Sequence, residues 1–307
     1  MKPKRLISLL VAVCMMITML PLSAVTAFAA DTASSPDPEE IVGDYKYAYT
    51  VNGGNATITK FLGPVDPTNN GPYYIEIPSK LGGHPVTGLG ENSFAVDSYG
   101  SYPGNPLCRN IHSVTIPQSV TSIGMNAFRL CTGLTSLTIE GPIKSMGWSA
   151  FYMCTSLETL SLGEKIETIG EYAFYGCDDL TNVTIPQSVT SIGEGAFASC
   201  ENLGSLTIEG AIESMGNSAF AGCKNLTTLK LGEKIKTIGN YAFDDCSILN
   251  NVTIPDSVTS IGDHAFYNCL GLETLSLGEN IETIGDYAFC LCSNLKNVTI
   301  PEQVKKN

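Results

Sequence analysis

A 23-residue repeat limits what this chain can fold into. From residue 127 onward Ala-Phe pairs occur eight times at a spacing of 23 residues (151 − 128 = 23), and a Cys follows each Phe three residues later. Such a period is typical of an array in which each unit packs on the next. An earlier, looser copy runs from Phe94 to Cys108 and carries an insertion of 11 residues (14 − 3). The repeated phenylalanines are Phe128, Phe151, Phe174, Phe197, Phe220, Phe243, Phe266 and Phe289.

Each unit contains the signals of one strand and one tight turn. Apolar residues alternate at positions such as Leu137 and Ile139, which predicts a short strand with one face inward. The glycine after each inward Ile or Met, such as Gly147, predicts a turn with positive φ, and the Ala-Phe segment predicts one helical or 3₁₀ turn. A unit of this length lies in the range of leucine-rich repeats. We therefore predict a β-rich solenoid of 23-residue units whose short parallel strands stack.

The first 29 residues have the features of a secretory signal peptide. Three basic residues precede an apolar stretch from Leu6 to Leu22, and Ala27 and Ala29 supply the small residues of a cleavage site. A membrane anchor is the alternative, because the apolar stretch is nearly long enough to span a bilayer. The cleavage site favours export, and no later segment is apolar enough to cross a membrane. We expect the mature protein to be extracellular, either secreted or associated with the cell surface, and not inserted in a membrane.

Three segments follow the predicted signal peptide. Residues 30–46 contain prolines and several acidic side chains, which predicts a flexible leader. Residues 47–72 begin with "YAYTVNGGNATITKF", whose apolar residues alternate on both sides of Asn52-Gly53-Gly54-Asn55, a hairpin signature. We expect this hairpin to cap the solenoid, which would then extend over residues 73–307.

Charge argues against nucleic acid as a partner. The formal net charge of −13 becomes −16 once the signal peptide is removed, since 14 Lys and Arg then face 30 Asp and Glu. Phosphate binding relies on clustered basic side chains, which this chain lacks.

The three histidines, His84, His112 and His264, lie in different units, and none belongs to a recognisable nucleophile motif. We therefore expect no catalytic site, no metal site and no cofactor.

Nine of the cysteines form a ladder with one member per unit. Equivalent positions on adjacent coils have Cα atoms about 5 Å apart, so disulfides are geometrically allowed in an exported protein. Leucine-rich repeats often place a buried Asn or Cys here to serve the loop backbone, and we favour unpaired structural thiols. Cys290 lies off the ladder and could pair with Cys292 or with another chain. The ladder consists of Cys108, Cys131, Cys154, Cys177, Cys200, Cys223, Cys246, Cys269 and Cys292.

The repeat consensus resembles that of the BspA-like leucine-rich repeat proteins, which are secreted or surface proteins of bacteria. The resemblance lies in "IPSKLGGHPVTGLGENSF" at 77–94 and in the recurring L-x-x-V-T-I-P-x-S-V-T-S-I-G-x-x-A-F-x-x-C, and it covers residues 47–307. It implies a solenoid fold and adhesion to proteins of a host or a neighbouring cell. The sequence shows no Leu-Pro-x-Thr-Gly sorting signal of the kind that cell-anchored relatives carry.

Aromatic residues that vary from unit to unit are the candidate binding residues. Trp148, Tyr152, Tyr172 and Tyr175 flank the Ala-Phe pairs of adjacent units, and the insertion brings Tyr99 and Tyr102 to the matching edge. Tyr and Trp often anchor protein interfaces or stack on sugars, so we predict a recognition patch along this edge. The alternative is that these rings only pack on the convex side of the solenoid.

Together these observations predict a binding protein whose ligand is an extracellular protein or glycan. The alternative is a structural or assembly module, in which the C-terminal coil joins another domain or self-associates with another chain. The sequence offers no cap at that coil, which ends in "VTIPEQVKKN".

Overall fold

The computed structural model describes residues 36–96, 104–296 and 298–304. Their secondary structure lies in one compact unit, Pro38–Asn307. The predicted signal peptide, residues 1–29, and the first residues of the predicted leader lie outside the described part of the chain. In the described ranges, no helix is long and apolar enough to cross a bilayer.

Six strands and one 3₁₀ helix precede the regular units. The strands are β1 Glu39–Val42, β2 Tyr45–Asn52, β3 Asn55–Pro64, β4 Tyr73–Glu76, β5 Lys80–Leu81 and β6 His84–Leu89, and the 3₁₀ helix is Pro106–Asn110. Strands β2 and β3 pair antiparallel, and Asn52 lies opposite Asn55. The two glycines between them have φ of +56° and +79°, the conformation that a tight hairpin turn needs. The parallel pairs β4–β7 and β6–β8, where β7 is Ile111–Ile116 and β8 is Ser122–Ile123, connect this region to the solenoid. A capping role for the hairpin stays a prediction.

The flexible leader expected over residues 30–46 differs from the structure in its last part. Residues Glu39–Val42 form β1, which pairs antiparallel with β2, and Lys46 forms an ion pair with Glu39 across the two strands. Strand β1 lies at the edge of its sheet, and Ile41 is 56% exposed. A short edge strand that buries almost no side chain lacks the apolar alternation by which strands are recognised in a sequence.

Two kinds of strand alternate along the solenoid. A strand of three to six residues is followed in most units by one of two residues, and both kinds pair in parallel with their equivalents 23 residues away, as Ser113 pairs with Ser136 and Ser122 with Ser145. The fold predicted from the repeat is thereby confirmed. After β7 the strands are β8 Ser122–Ile123, β9 Ser136–Ile139, β10 Ser145–Met146, β11 Thr159–Leu162, β12 Thr168–Ile169, β13 Asn182–Ile185, β14 Ser191–Ile192, β15 Ser205–Ile208, β16 Thr228–Lys230, β17 Thr237–Ile238, β18 Asn251–Thr253, β19 Ser260–Ile261, β20 Thr274–Ser276 and β21 Thr283–Ile284.

The Ala-Phe segments form the third side of each coil. They do not form the helical or 3₁₀ turn that the sequence predicts. In the described ranges the only helix is the 3₁₀ helix Pro106–Asn110. Residues two before and two after the Phe, such as Ser149 and Met153, have φ of +56° and +57°. Left-handed residues at these intervals interrupt any right-handed helical run, so the segment consists of single tight turns. The N–H of Phe151 instead donates to the carbonyl of Ala173 on the next coil at 2.7 Å.

The glycine that precedes each Ala-Phe turn is needed for close packing and not, as predicted, for positive φ. None of these glycines, Gly147 and Gly193 among them, appears with a left-handed φ. A Cβ built on Gly193 would lie 2.5 Å from the backbone nitrogen of Glu171 and 2.7 Å from the carbonyl carbon of Gly170. The backbones of adjacent coils therefore approach here more closely than any side chain allows.

The core is a set of continuous rows. The repeated phenylalanines stack ring on ring, as Phe151 does on Phe174 with centroids 5.1 Å apart and an interplanar angle of 2°. Leucine and isoleucine rows from the strands complete the interior, and members such as Leu137 and Ile143 have no exposed surface. Each coil buries its apolar residues against the two neighbouring coils, so the inward positions of the repeat determine the fold.

Candidate functional site: an aromatic edge of the solenoid

The tight turns place certain side chains on one exposed edge of the solenoid. Ala and Phe point inward and are fully buried in the units that contain Phe151 and Phe174. The residues three before, two before and one after each Phe flank this buried pair, and they form columns along the edge, because each turn bonds to the next with the same register. Aromatic residues at these positions in neighbouring coils are therefore brought within contact distance.

Four of the six predicted binding residues form one continuous cluster. The Trp148 ring meets Tyr172 edge-on at a centroid distance of 6.2 Å, Tyr172 lies 6.1 Å from Tyr175, and Tyr175 stacks on Tyr152 at 5.0 Å. We call these four residues the aromatic edge patch. Trp148 is 41% exposed, and the three tyrosines are half-buried. The other two predicted residues, at positions 99 and 102, lie outside the described residues.

One charged side chain contacts the patch from the preceding coil and another from the following coil. The guanidinium carbon of Arg129 lies 5.2 Å from the centroid of the Tyr152 ring, a cation–π contact made by an arginine that is only 8% exposed. On the following coil, Glu194 accepts a hydrogen bond from the Tyr172 hydroxyl at a carboxylate oxygen. This hydrogen bond, with a smaller effect of burial, raises the pKa of Tyr172 to about 12. The phenol therefore stays protonated at physiological pH.

Two buried side-chain oxygens, on the turn of Trp148 and on the turn before it, have no hydrogen-bond partner in the described part of the chain. Asn126 and Ser149 occupy the same turn position as Tyr172 in the two preceding coils, and they are 5% and 1% exposed. The side-chain oxygen of each makes no hydrogen bond to the described residues. Buried polar atoms of this kind are uncommon in proteins. Buried polar oxygens therefore accompany the exposed rings in this part of the edge.

Sequence reasoning missed the polar members of this site. Arg129 stands one coil before Tyr152 at the same turn position, and Glu194 stands one coil after Glu171. Reading each column of the repeat for charged as well as aromatic residues could have found Arg129 and Glu194. No sequence signal marks the burial of Asn126 and Ser149.

The cysteine ladder lies behind the turns, inside the core. All nine members are buried, and none forms a disulfide bond with another. From Cys154 onward each thiol donates to the carbonyl of the Phe 26 residues earlier, as Cys200 does to Phe174 at 3.2 Å. Burial raises the pKa of Cys200 to about 12, so this thiol stays protonated at physiological pH. The arrangement agrees with structural thiols, whose redox state in the native protein stays a prediction.

Comparison with known families assigns the repeat. A family model for the BspA type leucine rich repeat region matches residues 106–227 and 213–307, with six copies of the repeat. The chain belongs to this BspA type family. The match covers more than half of the chain and confirms the resemblance read from the consensus. No curated protein matches the chain.

Solved structures of several bacterial proteins are similar to this chain. A leucine rich repeat protein of T. pallidum is 23% identical, with 85% of this chain and 92% of that chain covered and a TM-score of 0.50. A leucine rich cell surface protein from Faecalibacterium prausnitzii A2-165 is 22% identical, with 86% and 95% covered and a TM-score of 0.36. The pneumococcal vaccine antigen PcpA is 19% identical, with 88% and 93% covered and a TM-score of 0.36. At these identities the T. pallidum likeness shows the fold alone.

The BspA type repeat is a scaffold, and its family model indicates no enzymatic activity. In the described ranges no three His, Cys, Asp or Glu side chains lie together in a way that could hold a metal ion. The aromatic edge patch offers ring faces for stacking, a protonated phenol and a buried guanidinium.

Proposed function

We propose that this protein is a secreted or cell-surface binding protein that attaches to proteins or glycans of host or neighbouring cells. Membership of the BspA type repeat family supports a protein-binding surface role, and the predicted signal peptide supports export. The proposed binding surface is the aromatic edge patch. It involves no catalytic step and no cofactor.

The observation that carries this proposal is the contact chain from Trp148 through Tyr172 and Tyr175 to Tyr152. The same turn positions hold small residues such as Ala198 and Ala221 two and three coils further on, so the fold does not need aromatic rings here. Large rings at solvent contribute binding energy through area and stacking, and they lose little conformational entropy on binding. Their grouping on one edge supports a ligand that contacts two adjacent coils at once.

The test replaces two rings with residues that the repeat itself uses at the equivalent positions. The double variant Trp148→Asn/Tyr175→Ala takes its residues from Asn217 and Ala198. We expect capture of extracellular matrix proteins or arrayed glycans to weaken at least about tenfold, because anchor residues typically contribute more than 1 kcal/mol each. The thermal midpoint should stay within about 3 °C, since no fully buried residue changes.

The matched control is Tyr74→Ala. Tyr74 is 58% exposed and, like Trp148, meets another ring edge-on, since its centroid lies 5.3 Å from that of His112. It stands on β4 and not on the edge of the Ala-Phe turns, so this variant should bind as the wild type does. Equal binding by the double variant and the wild type would remove the aromatic edge patch as the binding surface.

A structural or assembly role is the second candidate, favoured by apolar side chains exposed on the last described coil. Leu291 is 51% exposed and Ile300 is 61% exposed. Contact with another chain or domain would cover them. Sedimentation velocity over a wide concentration range separates the two functions, because a concentration-dependent oligomer supports assembly and a stable monomer supports a free binding module.

A further inference from the structure

A second cluster of rings lies on the same edge, three coils beyond the aromatic edge patch. The His264 ring stacks between Tyr241 and Tyr287, with centroid distances of 4.6 Å and 5.0 Å, and it also contacts Tyr267 at 5.2 Å. We call these four residues the carboxyl-terminal ring cluster. The coils between the two clusters carry small residues at the corresponding positions, such as Gly195 and Ser218. The two ring clusters are therefore separate surfaces.

The fold does not require rings at these positions. Tyr241, His264 and Tyr287 have φ of +56°, +54° and +57°, the left-handed region that only Gly adopts without a steric penalty. Equivalent turns use Gly195 or Ser218, which have less side chain to place. Yet Tyr241 and Tyr287 leave 40% and 64% of their surface in solvent. Large rings left exposed at positions where neighbouring coils use Gly or Ser indicate a surface role.

Carboxylates surround these rings. Asp263 and Asp286 directly precede His264 and Tyr287 and are exposed, while Asp244 and Asp245 follow the Phe of the first of the three coils. Burial, and then the charge of Asp245, raise the pKa of Asp244, so this site already disfavours further negative charge. No Lys or Arg occupies the positions three before, two before, one after or two after the Phe in these coils.

Two lysines of the neighbouring coils already form ion pairs, and one of them, Lys224, also interacts with the charge of Asp245. Lys224 forms an ion pair with Glu201 at 2.6 Å, and Lys236 forms one with Glu213 at 3.1 Å. Asp263 and Asp286 form none of the ion pairs recorded among the described residues. The oxygen of Asp263 that has a partner accepts only the backbone N–H of Asp286, at 2.8 Å. The surface thus offers exposed aromatic faces beside Asp263 and Asp286, which have no ion-pair partner among the described residues.

We propose that the carboxyl-terminal ring cluster, with Asp263 and Asp286, binds arginine or lysine side chains of a basic segment in a partner protein. Aromatic faces attract guanidinium and ammonium groups, and carboxylates beside them strengthen the attraction by ion pairing. Charge complementarity selects this occupant, because an anionic ligand would meet uncompensated carboxylates. The site is separate from the aromatic edge patch and does not depend on the function proposed for that patch.

The first experiment follows the histidine rings by ¹H–¹³C NMR while the peptide acetyl-Gly-Arg-Gly-Arg-Gly-amide is added to the full chain. His264→Gln assigns the His264 signals. We expect saturable shifts of the His264 ring signals and none for His112, which contacts Tyr74 on another part of the molecule and is an internal control. The Glu counterpart of the peptide should produce no shift. Equal shifts at both histidines, or none at His264, would overturn the proposal.

The second experiment separates ring binding from general attraction to an acidic protein. Tyr241→Ser/Tyr287→Ser leaves the net charge unchanged and copies Ser218, so the proposal expects the Kd of the Arg peptide to rise about five-fold or more. Asp263→Asn/Asp286→Asn should also weaken binding, because it removes the two carboxylates. The backbone hydrogen bond between coils is kept, since Asn240 accepts the equivalent bond from the N–H of Asp263.

The matched charge control is Glu164→Gln/Glu167→Gln, which removes two exposed carboxylates elsewhere. It should change Kd less than two-fold. Equal weakening by the two charge-removing pairs, or wild-type affinity in the folded tyrosine variant, would show attraction by net charge only and defeat the proposal. Trp148→Asn/Tyr175→Ala should bind the Arg peptide normally, so failure of the aromatic edge patch is distinguishable from failure of this site.

Discussion

At the scale of single residues, the ladder cysteines act as hydrogen-bond donors inside an apolar core. The carbonyl of each repeated Phe from Phe128 to Phe243, such as Phe174, accepts from the thiol of a Cys in the next coil as well as from the N–H of a Cys in its own coil. A buried carbonyl that loses one of these donors is less well satisfied. Sulfur also fills space between the Phe row and the strands, so both chemistry and volume select cysteine here.

Replacing one ladder cysteine should therefore destabilise the protein. We expect Cys200→Ala to lower the free energy of unfolding by about 1–3 kcal/mol, because it removes the donor to Phe174 and leaves a small cavity. Cys290→Ser is the control, since Cys290 is half-buried, lies off the ladder and should change stability by less than about 0.5 kcal/mol. Urea denaturation under reducing conditions measures both, and equal stabilities would contradict the role given to the thiol.

At the scale of the structural element, the turn is where sequence and structure differ most. The strand register follows from the 23-residue period, since inward Leu and Ile residues can form rows in one register only. The turns could not be predicted, because residues as different as Ser149, Tyr172 and His264 adopt the same left-handed conformation. That conformation is enforced by hydrogen bonds to the next coil, which no local propensity contains.

The glycines of these turns allow a direct test of coil spacing. Gly193→Ala would place a Cβ 2.5 Å from the backbone nitrogen of Glu171, so two coils must separate, at a cost of about 1–3 kcal/mol. Gly204→Ala is the matched control, because the nearest atom to its Cβ is the Thr181 carbonyl oxygen at an ordinary 3.6 Å. Calorimetry should show a midpoint lowered by about 2–9 °C for Gly193→Ala and no loss for Gly204→Ala. The reverse order would mean that steric contact between coils does not select glycine.

At the scale of the whole molecule, the solenoid separates stability from recognition. Inward positions repeat in every coil, while edge positions change, so the edge can carry rings at Trp148 and again at Tyr241 without altering the core. The period alone predicted that Trp148, Tyr152, Tyr172 and Tyr175 are adjacent, because it fixes which residues share a column. It could not predict Arg129 or the buried oxygens of the site, since their environment depends on side-chain packing between coils.

The same independence of the units predicts how the molecule responds to deletions. Removing residues 205–227 joins Gly204 to Thr228, the residue that pairs with Ser205 in the next coil, so every inward row stays continuous. We expect a folded protein with an unchanged β-type circular dichroism spectrum and a modestly lower thermal midpoint, because solenoid stability is approximately a sum over units and their interfaces.

Deleting residues 205–215, which is not a whole unit, is the control. It would place the core residues of all later coils out of register with the earlier ones and expose apolar side chains along the whole C-terminal part. This variant should aggregate or unfold, whereas the whole-unit deletion should still bind through the aromatic edge patch, which lies entirely N-terminal to the cut. If both deletions fold equally well, or both fail, the stacking of identical coils is not what stabilises the protein.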